Sequence, residues 1–103
     1  MIQMLGGGWV RFRYEESAED PVYLVGDFNQ WNETADPMDR AEDGGWVTTL
    51  KLNPGEYEFK YKTGHRWHND RAAHKYVANV WGSENSVVVV NEDRVQPGME
   101  TGA

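Results

Sequence analysis

Apolar and polar residues alternate through almost the whole chain, and no stretch holds the spacing of a helix face over three turns. The clearest case is "GEYEFKYK" at 55–62, where Tyr57, Phe59 and Tyr61 fall on one side and Glu56, Glu58, Lys60 and Lys62 on the other. A period of two is that of a strand with one buried face. Val10, Phe12 and Tyr14 alternate with Arg11, Arg13 and Glu15 in the same way, and Trp46, Thr48, Leu50 and Leu52 with Val47, Thr49 and Lys51. "PVYLVGDF" at 21–28 is apolar on both sides, which predicts a central strand. "SVVVV" at 86–90 is β-branched and predicts the last strand, with the stretch before it, 66–85, read as a loop. "NPG" at 53–55 supplies a turn, and Gly64-His65 has glycine at the first central position, as a type II′ hairpin requires. Short strands separated by turns predict an all-β fold, an antiparallel β-sandwich of immunoglobulin type. The expected domain runs over residues 8–93, after a flexible N-terminus at 1–7 and before a disordered tail at 94–103 whose Pro, Gly and charges show no period.

The charge balance narrows the function. A net charge of −7 opposes nucleic acid and anionic membranes, whose phosphates need a cationic partner, and it accommodates a neutral ligand. With no cysteine there is neither a disulfide nor a thiolate metal site. No apolar run approaches a membrane span and "MIQMLGGG" lacks the pattern of a signal peptide, so a cytoplasmic protein is expected.

Catalytic and cofactor signals are weak throughout. Seventeen carboxylates make some acidic pair inevitable and therefore uninformative. Ser83 has no nucleophile elbow around it, and "GGG" at 6–8 precedes a strand rather than a phosphate-binding helix. His65, His68 and His74, with Asp70 nearby, are the only metal candidates; in a loop, a three-residue gap does not put two imidazoles on one face. Asn32-Glu33-Thr34 is a formal glycosylation sequon that carries little weight without a secretory signal. No enzyme, metal or cofactor is expected.

The five tryptophans carry the positive signal. Trp46 falls in the apolar phase of its strand and is expected in the core. Trp9 is out of phase with Val10 and Phe12 and is expected to cover a strand end beside the core. Trp31, Trp67 and Trp81 lie in "FNQWNET", "HRWHND" and "NVWGSEN", read as loops, among amide, hydroxyl and cationic side chains. A single such tryptophan packs on the core as readily as it binds a ligand. Three of them point to a shared surface, and a rigid aromatic ring suits the C–H face of a sugar. Lys60 and Asn85 supply groups that satisfy sugar hydroxyls. A protein-interaction module is the alternative, but a protein hot spot prefers apolar surroundings.

Three stretches in order, "VYLVGDFNQW", "LNPGEYEFKYK" with Lys60 seven residues before Trp67, and "YVANVWGSENSVVVV", resemble carbohydrate-binding module family 48. That family includes the early-set domains of isoamylases and branching enzymes and the glycogen-binding domain of the AMP-activated protein kinase beta subunit. The resemblance covers about residues 8–91. It implies an early-set β-sandwich that binds α-1,4-glucan; a non-catalytic module is expected, with a glucan-active enzyme as a candidate partner, and the alternative is a protein-interaction or scaffold module associated with such an enzyme. By motif, Trp31 and Trp67 correspond to the two stacking platforms, Lys60 and Asn85 to the residues that hydrogen-bond sugar hydroxyls, and Ser83 to a neighbouring hydroxyl position. The chain departs from the family at Gly64-His65, where "DG" is usual, at Ala78, often Pro, and at Trp81, commonly Leu or Phe. Two roles are open to Trp81: filling an apolar gap, or lining the sugar site as a third aromatic contact.

Overall fold

In the computed structural model, which describes residues 1–15 and 21–91, the alternating segments pair into two antiparallel sheets. One sheet contains β1 (Ile2–Gly6), β2 (Trp9–Tyr14), β4 (Asp39–Arg40) and β5 (Trp46–Lys51), in the order β1-β2-β5-β4. The other contains β3 (Val22–Gly26), β6 (Gly55–Thr63), β8 (Lys75–Ala78) and β9 (Glu84–Val90), in the order β3-β6-β9-β8, and β7 (Arg66–His68) adds to β6. The result is the immunoglobulin-like sandwich that the alternation predicts.

The inward-facing phase of each strand builds the core. Val10, Phe12, Val22, Leu24, Phe59, Tyr61 and Val88 are fully buried, and Tyr14, Met38 and Trp46 nearly so. Phe12 meets the edge of Phe59 at 5.1 Å between centroids, and Tyr14 meets Tyr61 at 5.0 Å across the two sheets. Burying side chains of this size contributes about 1.5–3 kcal/mol each, and ring pairs about 0.5–1.5 kcal/mol more.

β6 is the longest strand and decides the shape of the second sheet. One flank pairs with β3 through Phe59–Thr63. The other flank pairs with β9 over residues 55–59 and then with β7 over 61–63. β9 and β7 therefore lie end to end beside β6. The connections at their junction, including the β8–β9 turn, gather over the outer face of the sheet, where Lys60 and Lys62 emerge.

Several local expectations change. Residues 2–6, expected to be flexible, form β1 against β2, with Ile2 opposite Phe12. β3 lies at the edge of its sheet rather than at the centre. Its apolar outer flank is still covered: Leu24 donates to the Asp36 carbonyl at 2.9 Å, Met38 donates to that of Val22 at 2.8 Å, and Tyr23 bridges Pro37. The stretch read as one loop before β9 contains β7 and β8. Trp9 faces outward, 46% exposed, directly opposite Lys51, whose Nζ lies 5.8 Å from its ring. Trp46 is core, at 4% exposure. The tail at 94–103 is outside the described residues.

Candidate functional site

Trp31 is presented by a tight bend that the sequence builds from three side chains. After β3, a short 3₁₀ turn at Asp27–Asn29 leads into Gln30 and Trp31, both left-handed, with φ of 56° and 57°. Side chains other than glycine enter this region at a cost of about 1–2 kcal/mol each, so the surroundings must hold them there. The Trp31 amide donates to the Gly26 carbonyl at 2.9 Å. Asn29 accepts from the Gly26 amide at 3.1 Å and donates both to the Leu24 carbonyl at 3.0 Å and to Asp36 at 2.7 Å. Asp27 takes the indole N–H of Trp31 at 2.8 Å on one oxygen and the Glu58 amide at 2.7 Å on the other. Gly26 makes the bend possible, because a Cβ there would lie 2.4 Å from the Glu58 carbonyl oxygen and 2.8 Å from Cβ of Phe59.

Trp67 lies on β7 rather than in a loop, directly opposite Lys62. The β6–β7 hairpin turns through Gly64 and His65. Gly64 has φ of 57° and His65 is not left-handed, the φ signs expected of a type II′ turn. Trp67 therefore shares the outer face of the sheet with Lys60 and Lys62 and is 40% exposed.

The third group comes from the β8–β9 turn. Asn79 organises it: its side-chain oxygen accepts from the amides of Trp81 and Ser83 at 2.9 and 3.1 Å, and its amide nitrogen donates to Ser83 Oγ and Asn85 Oδ1 at 2.9 and 3.0 Å. Asn85 in turn donates to Glu58 Oε1 at 2.9 Å. Trp81 at the tip is 86% exposed and Val80 beside it 89%. An indole that open fills no gap in the core.

All six residues singled out from sequence, Trp31, Lys60, Trp67, Trp81, Ser83 and Asn85, line one groove of about 1090 Å³. Glu33, Glu58 and Asn79 line it too, and the sequence reading missed them. For Asn79 a signal existed: an Asn three residues before Gly82 marks a turn that its side chain can close. Glu58 was visible only as an outer-face residue of β6. The Lys60 side chain has no hydrogen-bond or ion-pair partner among the described residues, which leaves its ammonium available to a ligand. Three flat apolar faces ringed by amide, hydroxyl, carboxylate and ammonium groups can stack on sugar rings and satisfy their hydroxyls.

Residues 9–96 match the family described as the glycogen recognition site of AMP-activated protein kinase. The chain belongs to that family. This agrees with the resemblance to carbohydrate-binding module family 48, and modules of this kind are non-catalytic. The chain is 49% identical over 44 residues, 43% of its length, to a 1,4-alpha-glucan-branching enzyme of Dictyostelium discoideum. It is 33% identical over 70 residues, 68% of its length, to protein PTST homolog 2, chloroplastic, of Arabidopsis thaliana. It is 28% identical over 81 residues, 79% of its length, to the 5'-AMP-activated protein kinase subunit beta-1 of Sus scrofa. The matched parts are 6%, 13% and 62% of those proteins, respectively.

The histidines are engaged separately. His68 shares a hydrogen bond with Thr63 Oγ1 at 2.9 Å, and His74 Nδ1 accepts the Val89 amide at 2.8 Å, while His65 is exposed at its turn. Asp70 is buried and accepts from the Tyr61 hydroxyl at 2.6 Å. Among the described residues no three His, Asp or Glu side chains converge as metal ligands. No helix among them is long and apolar enough to cross a membrane.

Proposed function

We propose that this chain is a non-catalytic module that holds α-1,4-glucan (glycogen, starch or maltodextrin) in the groove. Trp31 and Trp67 stack on consecutive glucose units, Trp81 makes a further aromatic contact, and Lys60, Ser83 and Asn85 hydrogen-bond the hydroxyls. The observation that carries this reading is the convergence of three aromatic residues from three separate elements on one groove, which Lys60, its side chain unpaired among the described residues, lines as well. The family's glycogen recognition and the branching-enzyme relative support the same ligand class. On this reading a glucan-active enzyme is the partner and the location is cytoplasmic. Two carboxylates in the groove, Glu33 and Glu58, favour a neutral polyol over an anion.

A protein-interaction surface is the rival, and the adjacent exposed Val80 and Trp81 are what it would use. The polar ring of Glu58, Lys60, Asn79, Ser83 and Asn85 favours sugar. A shallow wet site of this kind should bind with about 4–6 kcal/mol, tens of micromolar to millimolar.

The deciding experiment is retention on insoluble starch beside cellulose, with Trp31→Ala and Trp67→Ala as controls. A curved α-1,4 chain can lay successive rings on two angled platforms, whereas a flat β-1,4 chain needs a coplanar row. The protein should be retained on starch alone, and each variant should lose most retention with its far-UV circular dichroism unchanged. Equal retention on cellulose, or full retention of both variants, overturns the proposal.

A further inference from the structure

The two platforms of the groove stand on different elements, and one side chain reaches one platform and a close neighbour of the other. Lys62 Nζ donates to the Gly64 carbonyl at 2.7 Å, which pins it to the β6–β7 hairpin. The same ammonium lies 5.7 Å from the ring centroid of Trp67, its cross-strand neighbour. It also lies 3.3 Å from Oε1 of Glu33, two residues beyond Trp31 on the bend after β3. Lys62 is mostly covered, with 18% of its side chain exposed, whereas Glu33 is more than half exposed.

We propose that Lys62 is a positioning residue, and that its ion pair with Glu33 clamps the Trp31 bend to the Trp67 hairpin so that both rings meet one ligand at once. The proposal rests on the glucan reading of the groove and deepens it. A ligand that spans two platforms gains the second contact as an intramolecular event, and this gain depends on the spacing between the platforms. Asp27 ties Trp31 to β6 at the Glu58 amide, and the β6 ladder holds Trp67 several residues further along the same strand, opposite Lys62. The Lys62–Glu33 pair adds a direct link between the bend and the hairpin, at Glu33, which lines the groove. The consequence is unusual for an uncharged ligand: affinity for glucan should depend on salt, because screening weakens a partly exposed ion pair. Pairs of this exposure contribute about 0.2–1 kcal/mol, so the effect is roughly 1.5-fold to 5-fold in affinity.

The test is calorimetric titration of maltoheptaose at low and high potassium chloride. The intact protein should bind roughly 1.5-fold to 5-fold more weakly at high salt. Glu33→Gln and Lys62→Met should each bind about as weakly at low salt as the intact protein does at high salt, and should lose the salt dependence. The double variant should be no worse than either single one, and Lys62→Arg should restore both affinity and salt response. Unfolding midpoints should stay within a few degrees of one another, which separates clamping from folding.

A salt-independent affinity in the intact protein, or additive losses in the double variant, overturns the clamp. The indole N–H resonance of Trp67 in the ligand-free protein gives an independent readout. It should shift on Glu33→Gln at low salt and not at high salt, and a signal that never moves overturns the clamp whether or not sugar binds. Absence of maltoheptaose binding in every protein instead overturns the glucan reading and with it the affinity consequence.

Discussion

The carboxylate of Asp27 holds the indole nitrogen of Trp31 at 2.8 Å on one oxygen and the backbone of Glu58 on the other, so the half-buried platform is tied to β6, an interior strand of the second sheet. A rotating indole would lose rotamer freedom on binding; one fixed in advance does not. Asp27→Ala removes both bonds while leaving the core rings in place. It should weaken maltoheptaose binding roughly threefold to tenfold, about 1 kcal/mol, with the fold retained. Affinity equal to that of the intact protein would show that Trp31 is held by its backbone alone.

Gly26→Ala should be far more damaging than its size suggests. Its backbone is extended, so conformation is not the obstacle. The added Cβ would lie 2.4 Å from a carbonyl oxygen and 2.8 Å from the Cβ of Phe59, neither of which can swing aside, and 2.9 Å from the ring of Phe28. Overpacking of this kind costs about 1–3 kcal/mol, which for a domain of this size is roughly 4–24 °C in Tm. Gly64→Ala meets open space and carries only the penalty of a left-handed residue, about 1–2 kcal/mol, at the hairpin that presents Trp67. Thermal melts of both should rank Gly26→Ala as the less stable; the reverse order would mean that the sheet opens easily at Gly26.

The parts of this fold legible in sequence are those where burial differs between the two faces of a strand. β2 and β6 show that difference without a break, because Phe12, Tyr14, Phe59 and Tyr61 are buried and their neighbours less so. β7 and β8 span three and four residues, too few for a period to register, and five of those seven residues are exposed. β1 escaped for a similar reason, since only Ile2 of its five residues is even partly buried. β3 reads as a central strand although it is an edge, because Val25 is fully buried outside the core cluster; the cover given to its edge by residues 36–38 leaves no mark on its own composition. The site divides in the same way. Aromatic and cationic side chains announce themselves, but Glu58 and Glu33 join the groove only through pairings, with Asn85 and with Lys62, that link distant parts of the chain.

Tyr61 makes stability fall at high pH. Burial, reinforced by the neighbouring Asp70 carboxylate, raises its phenol well above the usual tyrosine range. In the unfolded chain the same group ionises near pH 10. Its contribution is therefore fully present below about pH 10 and is lost as pH rises from there towards the folded value, by up to about 1.4 kcal/mol per pH unit. Tyr61→Phe should be less stable at pH 7, because Asp70 loses its hydroxyl donor at 2.6 Å, yet should decline less steeply between pH 10 and 11. Denaturant midpoints measured across that range decide the matter, and parallel declines in the two proteins would locate the alkaline sensitivity elsewhere.

Trp81→Leu tests whether the third aromatic ring belongs to the ligand or to the fold. The substitution restores the kind of side chain common at this family position. At 86% exposure the indole has little packing to lose, so the unfolding midpoint should hold within a few degrees. The turn beneath it should persist, since Asn79 accepts from the backbone amides of Trp81 and Ser83 rather than from side chains. What the variant removes is a flat face on the groove that stacks on no other ring among the described residues. A stacking contact of that kind is worth about 0.5–1.5 kcal/mol, so maltoheptaose should bind roughly twofold to tenfold more weakly. The loss should be smaller for maltotriose, which is too short to cover Trp31, Trp67 and Trp81 together. Unchanged affinity for the longer sugar, with a lowered melting temperature, would assign Trp81 to packing.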